Sequence, residues 1–204
     1  MLNKQSFKHL GAAMVYSFFV SLPGLSQAEE ETAIFAGGCF WCMESDFEKL
    51  AGVKSVVSGY IGGHVANPTY KQVSTGNTGH TEAVEIVFDA DRVSFAQLLE
   101  QFWVNIDPLD GNGQFCDRGQ QYRSELFYLD EQQRMAAQAS VASLNAQERF
   151  SGQLQTALTE ATEFYVAEDY HQDYYKKNPK RYNYYRWRCG RDQRLEELWG
   201  KPVK

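Results

Sequence analysis

Residues 32–50 change their hydrophobic period at a pair of glycines, and this change indicates the fold class. The apolar run at residues 32–36 predicts a short buried strand, which Gly37 and Gly38 end with a sharp turn. From Cys39 onward, apolar side chains at spacings of three and four predict a helix: Phe40, Met43, Phe47 and Leu50. A buried strand that turns directly into a helix is typical of α/β proteins.

The rest of the chain continues to alternate between strands and helices. Alternating or continuous apolar residues predict further strands at residues 53–61, 81–88, 122–129 and 154–164. Helical spacing and capping residues predict further helices at residues 94–103, 130–150 and 168–177. A loop rich in Gly, Asp and Asn at residues 107–121 is long enough to carry function. These patterns predict one α/β domain built on a mixed sheet.

The first 28 residues have the composition of a signal peptide. Lys4 and Lys8 form a basic start, and the 13 residues at 10–22 carry no charge. Small residues at Ser26 and Ala28 suit signal peptidase, so we expect cleavage before residue 29 and a folded domain at residues 29–204. A membrane anchor fits less well, because a spanning helix needs about 20 apolar residues. We therefore expect export to the periplasm or another extracytoplasmic compartment.

The charge of the chain argues against some classes of partner. Its formal net charge is −6, and removal of Lys4 and Lys8 would give −6 − 2 = −8. We expect such an acidic protein to bind neither nucleic acid nor an anionic membrane surface. Many of its basic residues lie at 176–194, among tyrosines and Trp187. We expect this segment to pack through its rings and to expose its charges.

Four cysteines could be structural or reactive: Cys39, Cys42, Cys116 and Cys189. In an exported protein, two structural disulfides would be the usual interpretation. However, Cys39 and Cys42 are too close in sequence to join distant parts of the chain. Cys39 begins a helix after two glycines, where free N–H groups and the helix dipole are expected to lower its pKa. We expect no metal, because a zinc site would need a second closely spaced ligand pair.

Five sequence blocks together resemble a known enzyme family. In chain order they are GGCFW at 37–41, NPTY at 67–70, GHTEAV at 79–84, DRGQQYRS at 117–124 and AEDYHQ at 167–172. The combination is similar to the A-type peptide methionine sulfoxide reductases and covers nearly all of the sequence after residue 28. The resemblance implies that residues 29–204 are a two-layer α/β catalytic domain. Such a domain would reduce methionine S-sulfoxide, free or in oxidised proteins, through a cysteine sulfenic acid and a disulfide.

The resemblance also implies a role for each residue of the site. Cys39 would attack the sulfoxide sulfur, and a protonated Glu82 would donate to the sulfoxide oxygen. Further donors, and the polar network that holds them, would come from Tyr70, Tyr122 and Asp117. The S-methyl group of the substrate would bind against Phe40 and Trp41. His171 would only support these residues.

Cys42 departs from the common pattern of the family, in which many members have glycine at this position. Which thiol resolves the sulfenic acid of Cys39 is therefore an open question. We favour Cys189, because its C-terminal segment is expected to be flexible and neighbouring arginines should lower its pKa. Cys42 is the alternative, one helical turn from Cys39, and Cys116 is a third candidate because it adjoins Asp117.

The resemblance implies no bound cofactor, and electrons from an external thioredoxin-like protein or another dithiol reductant. We expect a monomer without stable membrane association after cleavage. Two other functions fit parts of the sequence. The pair Cys39 and Cys42 alone would suit a thiol–disulfide oxidoreductase. Two structural disulfides would suit an exported binding protein that uses its tyrosine-rich C-terminal segment as a contact surface.

Overall fold

The computed structural model describes Met1 and residues 29–200. Residues 2–28, and with them nearly all of the predicted signal peptide, lie outside the described residues, as do residues 201–204. Six of the strands form one sheet: β1 (Glu30–Gly37), β2 (Val53–Ile61), β3 (Thr81–Asp89), β6 (Ser124–Tyr128), β7 (Ala157–Glu160) and β8 (Tyr165–Val166). Two short strands pair separately: β4 (Gly113–Gln114) and β5 (Asp117–Arg118).

The helices include two that are capped as the sequence predicts. They are α1 (Phe40–Phe47), α2 (Tyr70–Val73), α3 (Phe95–Val104), α4 (Glu131–Ala146), α5 (Tyr174–Lys177), α6 (Pro179–Arg188) and α7 (Arg191–Trp199), with a 3-10 turn at Gln120–Tyr122. The side chains of Ser94 and Asp130 accept hydrogen bonds from the first turns of α3 and α4. Of the helices in the described part of the chain, none has the length and apolar character to cross a membrane.

The sheet has the strand order β7-β6-β1-β3-β2-β8. All its pairs are antiparallel except β6 with β7, which run parallel, so the predicted mixed sheet is confirmed. Successive side chains of a strand point to opposite faces. Ala33 and Phe35 of β1 therefore pack with α1, α3 and α4, whereas Ile34 and Ala36 join a smaller apolar cluster on the other face. One face carries the main helices, which gives the predicted two-layer α/β architecture.

The C-terminal part of the chain departs most from the predicted elements. Residues 154–164 hold only the short strand β7, and β8 follows after a loop. The helix predicted at residues 168–177 is reduced to α5. The segment expected to be flexible is instead folded into α6 and α7. Pro179 stands in the first turn of α6, where a proline favours a helix because its fixed φ and missing N–H do no harm.

Arg191 fixes these C-terminal helices to the rest of the domain. Its side chain is buried, and its Nη2 donates to the carbonyl oxygen of Asn105 at 2.6 Å. Its Nη1 donates to the carbonyl oxygen of Gly37 at 3.3 Å, and its guanidinium lies 4.5 Å from the ring centroid of Phe115. Because Gly37 is the last residue of β1, these contacts hold α6 and α7 beside the turn that leads into α1.

Candidate active site

A cavity of about 50 Å³ lies at the start of α1. Eight side chains line it: Cys39, Phe40, Trp41, Tyr70, Glu82, Asp117, Tyr122 and Tyr185. The first seven are the predicted pocket residues, which the fold collects from α1, α2, β3, β5 and the 3-10 turn. Tyr185, on α6, is the one that the sequence did not predict.

The turn between β1 and α1 places Cys39 at the cavity. Gly38 has a φ of 83°, a conformation that favours glycine, and an added Cβ would stand 2.6 Å from the Cβ of Gln114. Cys39 is the N-cap of α1, and its carbonyl oxygen accepts hydrogen bonds from Cys42 and Met43. Its side chain does not cap an N–H group of the helix and instead lines the cavity.

Glu82 reaches the cavity from β3 and is 2% exposed. Its Oε2 accepts a hydrogen bond from the backbone N–H of Phe40 at 3.0 Å. Burial raises the pKa of this carboxyl well above its ordinary value, and the hydrogen bond from Phe40 only partly opposes the shift. A carboxyl that keeps its proton can donate to an oxygen bound in the cavity, as the sequence-based interpretation requires.

Two tyrosines line the same cavity from different elements. Tyr70 is the first residue of α2, which Thr69 caps through a reciprocal hydrogen-bond pair with Gln72. Tyr122 ends the 3-10 turn. Burial raises the pKa of Tyr70 to about 12 and also raises the pKa of Tyr122. Both phenols therefore stay protonated at neutral pH and can donate hydrogen bonds.

Asp117 closes the polar side of the cavity together with Tyr185. The hydroxyl of Tyr185 donates to Oδ2 of Asp117. Burial raises the pKa of Asp117, while this hydrogen bond and the charge of Arg191 act in the opposite direction. Tyr185 precedes Cys189 by four residues on a helix, so recognition of α6 from the sequence would have placed the two on one face.

The apolar wall of the cavity is held by a stack of rings. Trp41 stacks on Tyr174 with a centroid distance of 3.7 Å and an interplanar angle of 6°. Its indole N–H donates to Nδ1 of His171 at 3.0 Å, and the His171 ring also lies 4.9 Å from that of Phe40. Burial lowers the pKa of His171 to about 4, so its ring is neutral and Nδ1 can accept. His171 thus supports both wall residues, in the place that the sequence suggests.

Cys39 and Cys42 are both buried free thiols. Burial raises the pKa of Cys39, and Cys42, Glu82 and Asp117 raise it further. The prediction of a lowered pKa for Cys39 is therefore wrong, because desolvation by the surrounding side chains outweighs the start of the helix. The hydrogen bond with Cys39, with smaller effects of Arg191 and Arg186, lowers the pKa of Cys42 to about 7.

The other two cysteines form a disulfide between the β4–β5 ribbon and the end of α6. Cys116 and Cys189 are bonded, with their Cα atoms 4.9 Å apart. Their sulfurs lie 3.9 Å and 3.8 Å from the carboxylate oxygens of Asp117, so the disulfide adjoins the cavity. With one disulfide and two free thiols, the chain does not have the two structural disulfides that an exported binding protein was expected to carry.

Two groups of side chains bring three possible metal ligands within 4.8 Å of one another. One is Cys116, Asp117 and Cys189, whose sulfurs are already joined in the disulfide. The other is Glu44, Glu48 and Asp173. In this second group, the ammonium of Lys176 lies 2.7 Å from Glu48 and 2.8 Å from Asp173 and supplies the positive charge itself.

Residues 31–203 match the family model described as "Peptide methionine sulfoxide reductase". The chain belongs to the peptide methionine sulfoxide reductase family. The MsrA of Streptococcus pyogenes is 53% identical over 169 residues, which are 83% of this chain and 99% of that protein. The MsrA/MsrB of Vibrio cholerae is 51% identical over 175 residues, or 86% of this chain and 46% of that longer protein. These relatives place the chain among the A-type reductases.

Solved structures of family members share the fold. The methionine sulfoxide reductase A of Corynebacterium diphtheriae matches with a TM-score of 0.67 at 35% identity, covering 76% of this chain and 77% of that one. Saccharomyces cerevisiae Mxr1 in complex with Trx2 matches with a TM-score of 0.51 at 17% identity, covering 76% and 90%, and shows the shared fold alone. The predicted activity, thiol-dependent reduction of peptide methionine S-sulfoxide, is confirmed by membership of this family. The alternative thiol–disulfide oxidoreductase is not favoured.

Proposed function

We propose that Cys39 attacks the sulfur of methionine S-sulfoxide while Glu82 protonates the sulfoxide oxygen. A thiol, a protonated carboxyl and two phenols meet in one cavity of about 50 Å³, and this arrangement carries the proposal. The oxygen passes with this proton to Cys39, which becomes a sulfenic acid, and methionine leaves as the thioether. The thiol proton of Cys39 returns to the carboxylate of Glu82, which is ready for another turnover. Donors aimed at an oxygen that gains charge stabilise the transition state more than the ground state.

The cavity walls suit the substrate in a second way. Phe40 and Trp41 offer an apolar surface, whereas the donors lie on the other elements that line the cavity. A sulfoxide has a small methyl group and an oxygen on the same sulfur, so the two kinds of wall fix the orientation of the sulfur. A chiral sulfoxide held by both groups presents only one face to Cys39, which supports selectivity for one epimer.

We propose that Cys189 is the residue that resolves the sulfenic acid of Cys39. Its thiol would attack the sulfenic acid of Cys39, which forms a Cys39–Cys189 disulfide and releases water. Cys116 would then attack the sulfur of Cys189 and free Cys39 as a thiolate. The bonded pair Cys116 and Cys189, beside free Cys39, has the pairing that this sequence of steps leaves behind.

The reductant in this proposal is an external dithiol protein of the thioredoxin type. Yeast Mxr1, which has the same fold, has been solved with Trx2. The disulfide can accept two electrons from such a dithiol. The reductant can reach it, because Cys116 is exposed and Cys189 is half-buried. No bound cofactor enters any step. Oxidised proteins and free methionine sulfoxide are both proposed as substrates.

We also propose that the protein works outside the cytoplasm, on the strength of the basic start and the uncharged run in residues 1–28. Expression of the full chain in a Gram-negative host, followed by fractionation and N-terminal sequencing, tests this. A periplasmic protein that begins at Glu29 is the expected result. An intact chain in the cytoplasm would refute it.

The activity is tested with both sulfoxide epimers and dithiothreitol as the reductant. We expect the protein to consume the S epimer and to leave the R epimer unchanged. Cys39→Ser should abolish turnover. The control Met135→Leu, at an exposed position on α4, should leave turnover unchanged. Consumption of both epimers, or of neither, would contradict the proposed function.

A further inference from the structure

The outer face of α6 is exposed, aromatic and basic. It consists of residues at helical spacings: Lys180, Arg181, Tyr184, Trp187 and Arg188. Trp187 is 73% exposed and Tyr184 is 63% exposed, although the sequence predicted that the rings of this segment pack inward. Their ring centroids are 6.0 Å apart, so they form one apolar patch. Exposed tryptophans and tyrosines of this kind are enriched where proteins bind one another.

The charges on this face have no ion-pair partners among the residues that the structure describes. In residues 29–200, the ion pairs involve none of Lys180, Arg181 and Arg188. By contrast, Arg186, on another side of α6, is bound to Asp46 and Asp192. The outer face therefore carries three positive charges on a chain whose formal net charge is −6. Such a local excess favours an acidic partner.

The outer face adjoins the disulfide. Cys189 caps the C-terminus of α6, two residues after Trp187, and is bonded to Cys116. Gly190 follows with open space around it, since an added Cβ would meet nothing within 4 Å. A protein–protein contact covers about 800 Å² on each partner. A protein bound over the disulfide at this end of α6 can therefore also reach the outer face.

We propose that the outer face of α6 is the docking surface for a dithiol protein of the thioredoxin type with acidic residues around its cysteines. The proposal rests on the proposed function, because it concerns how that function regains its electrons. Trp187 and Tyr184 form the apolar centre of the contact. Lys180, Arg181 and Arg188 form its charged rim.

The geometry also assigns the sulfur that the partner attacks. Cys116 is the more exposed of the two residues, and its backbone N–H points to the sulfur of Cys189 at 3.2 Å. That N–H stabilises the thiolate of Cys189 as it leaves. The partner's thiolate attacks Cys116, a mixed disulfide forms and Cys189 is released. The partner's second thiol then closes its own disulfide and releases Cys116, so two electrons pass to this protein.

The test compares two reductants on free methionine S-sulfoxide in the full chain. Thioredoxin with its reductase and NADPH needs a docking surface, whereas dithiothreitol is too small to use one. In a Trp187→Ala, Tyr184→Ala double variant, we expect the KM for thioredoxin to rise about tenfold or more. The rate with dithiothreitol and the KM for the sulfoxide should stay unchanged. Met135→Ala removes a side chain of 60% exposure on α4 and should change neither assay.

The same measurements distinguish thioredoxin from other molecules that could bind the outer face. An unchanged KM for thioredoxin would overturn the proposal, as would an equal loss with dithiothreitol. A loss confined to oxidised protein substrates with dithiothreitol would mean that the face binds substrate. A dimer that the double variant converts to a monomer would mean that it binds a second copy. If the wild-type protein reduces no S-sulfoxide with dithiothreitol, the proposed function fails instead.

Two further measurements address the charges and the attacked sulfur. The kcat/KM for thioredoxin should fall as salt is raised, and the dependence should weaken in Arg188→Gln. A thioredoxin without its second cysteine should be trapped on Cys116 in a mixed disulfide that mass spectrometry locates. Trapping on Cys189 would refute the assignment of the attacked sulfur.

Discussion

The backbone N–H of Phe40 donates to Oε2 of Glu82 at 3.0 Å, and this contact joins the start of α1 to β3. Phe40 directly follows Cys39, so the same peptide unit sets the position of Cys39 relative to the carboxyl of Glu82. Since Oε2 accepts this hydrogen bond, Oε1 is the oxygen from which a protonated Glu82 is free to donate. The burial that raises the pKa of Glu82 keeps that proton in place.

Glu82→Gln should slow the chemical step by about 10²-fold or more, the usual scale for loss of a general acid. The amide can still donate a hydrogen bond to the sulfoxide oxygen, but it cannot deliver a proton. Rapid-quench measurement of a single turnover gives the rate, and the Kd for the sulfoxide should change little. The rate of the wild-type enzyme should also fall as pH rises through the raised pKa of Glu82, whereas Glu82→Gln should lack this fall. A single-turnover rate equal to that of the wild type would remove Glu82 from the mechanism.

Glu44→Gln should make the protein less sensitive to pH. Glu44 is buried, accepts hydrogen bonds from the backbone N–H of Asp173 and from the hydroxyl of Ser58, and has a pKa raised to about 7, chiefly by burial. The pKa of Glu44 is higher in the folded protein than in the unfolded chain, so its contribution to the stability of the fold is complete only below the unfolded pKa. This contribution is lost as pH rises to about 7, because Glu44 then ionises in a buried place. Glutamine does not ionise, so the Glu44→Gln variant avoids this loss. Its free energy of unfolding, relative to that of the wild-type protein, should therefore rise by up to about 3 kcal/mol across this pH range.

Urea unfolding at pH 4.5 and pH 8 measures this difference between Glu44→Gln and the wild-type protein. Glu100→Gln, at an exposed position on α3, is the matched control and should show no such change. An advantage of Glu44→Gln that is equal at both pH values would mean that Glu44 does not titrate in this range.

The sequence patterns predict the pocket better than they predict the end of the fold. The pocket residues were implied by the resemblance of five short sequence blocks to those of a known family, and such a resemblance does not depend on recognising each helix and strand. The helices α6 and α7 are rich in tyrosine and arginine, so they lack the apolar periodicity by which a helix is recognised. Tyr185 was missed for this reason.

The pKa of Cys39 shows a different limit of sequence-based reasoning. The glycine turn and the helix start are local features, and they argue for a lowered pKa. Burial arises from tertiary contacts, with Asp117 and Tyr185 brought in from distant segments, and it reverses the direction of the shift. A prediction from local structure alone cannot include this desolvation.

His171→Phe should raise the KM for methionine sulfoxide, because it removes the acceptor for the indole N–H of Trp41. Leaving this part-buried donor unsatisfied costs about 1 kcal/mol of stability, the lower end of the range for buried groups. His171→Gln offers a carbonyl oxygen in place of Nδ1 and should recover part of the loss. Urea unfolding and steady-state kinetics measure the two effects.

A double-mutant cycle with Trp41→Phe isolates the hydrogen bond between Trp41 and His171. In the Trp41→Phe background, the replacement of His171 by Phe should cost less than in the wild-type protein, because no N–H remains to be satisfied. Equal costs in both backgrounds would show that His171 acts only through the packing of its ring.

The last prediction concerns the thiol that resolves the sulfenic acid of Cys39, for which we expect Cys189 rather than Cys42. Cys42 stands at i+3 in the same helix turn, where Cβ atoms lie about 5–6 Å apart. A disulfide needs Cβ atoms nearer about 3.8 Å, so closing that ring would distort the first turn of α1. Cys189 belongs to another element, and its sulfur lies 3.8 Å from the carboxylate of Asp117, which lines the cavity. Cys42 has the opposite advantage of direct contact with Cys39 and a pKa of about 7.

The two routes leave different disulfides after one turnover. Fully reduced protein is treated with one equivalent of S-sulfoxide, quenched in acid, digested and analysed by mass spectrometry. In Cys116→Ser, which stops the second exchange, we expect a Cys39–Cys189 linkage. In the wild-type protein the bond should move on to Cys116–Cys189, and Cys42→Ser should behave in the same way. A Cys39–Cys42 linkage, together with continued turnover of Cys189→Ser on thioredoxin, would show that the near thiol resolves the intermediate, because proximity then outweighs the strain in α1.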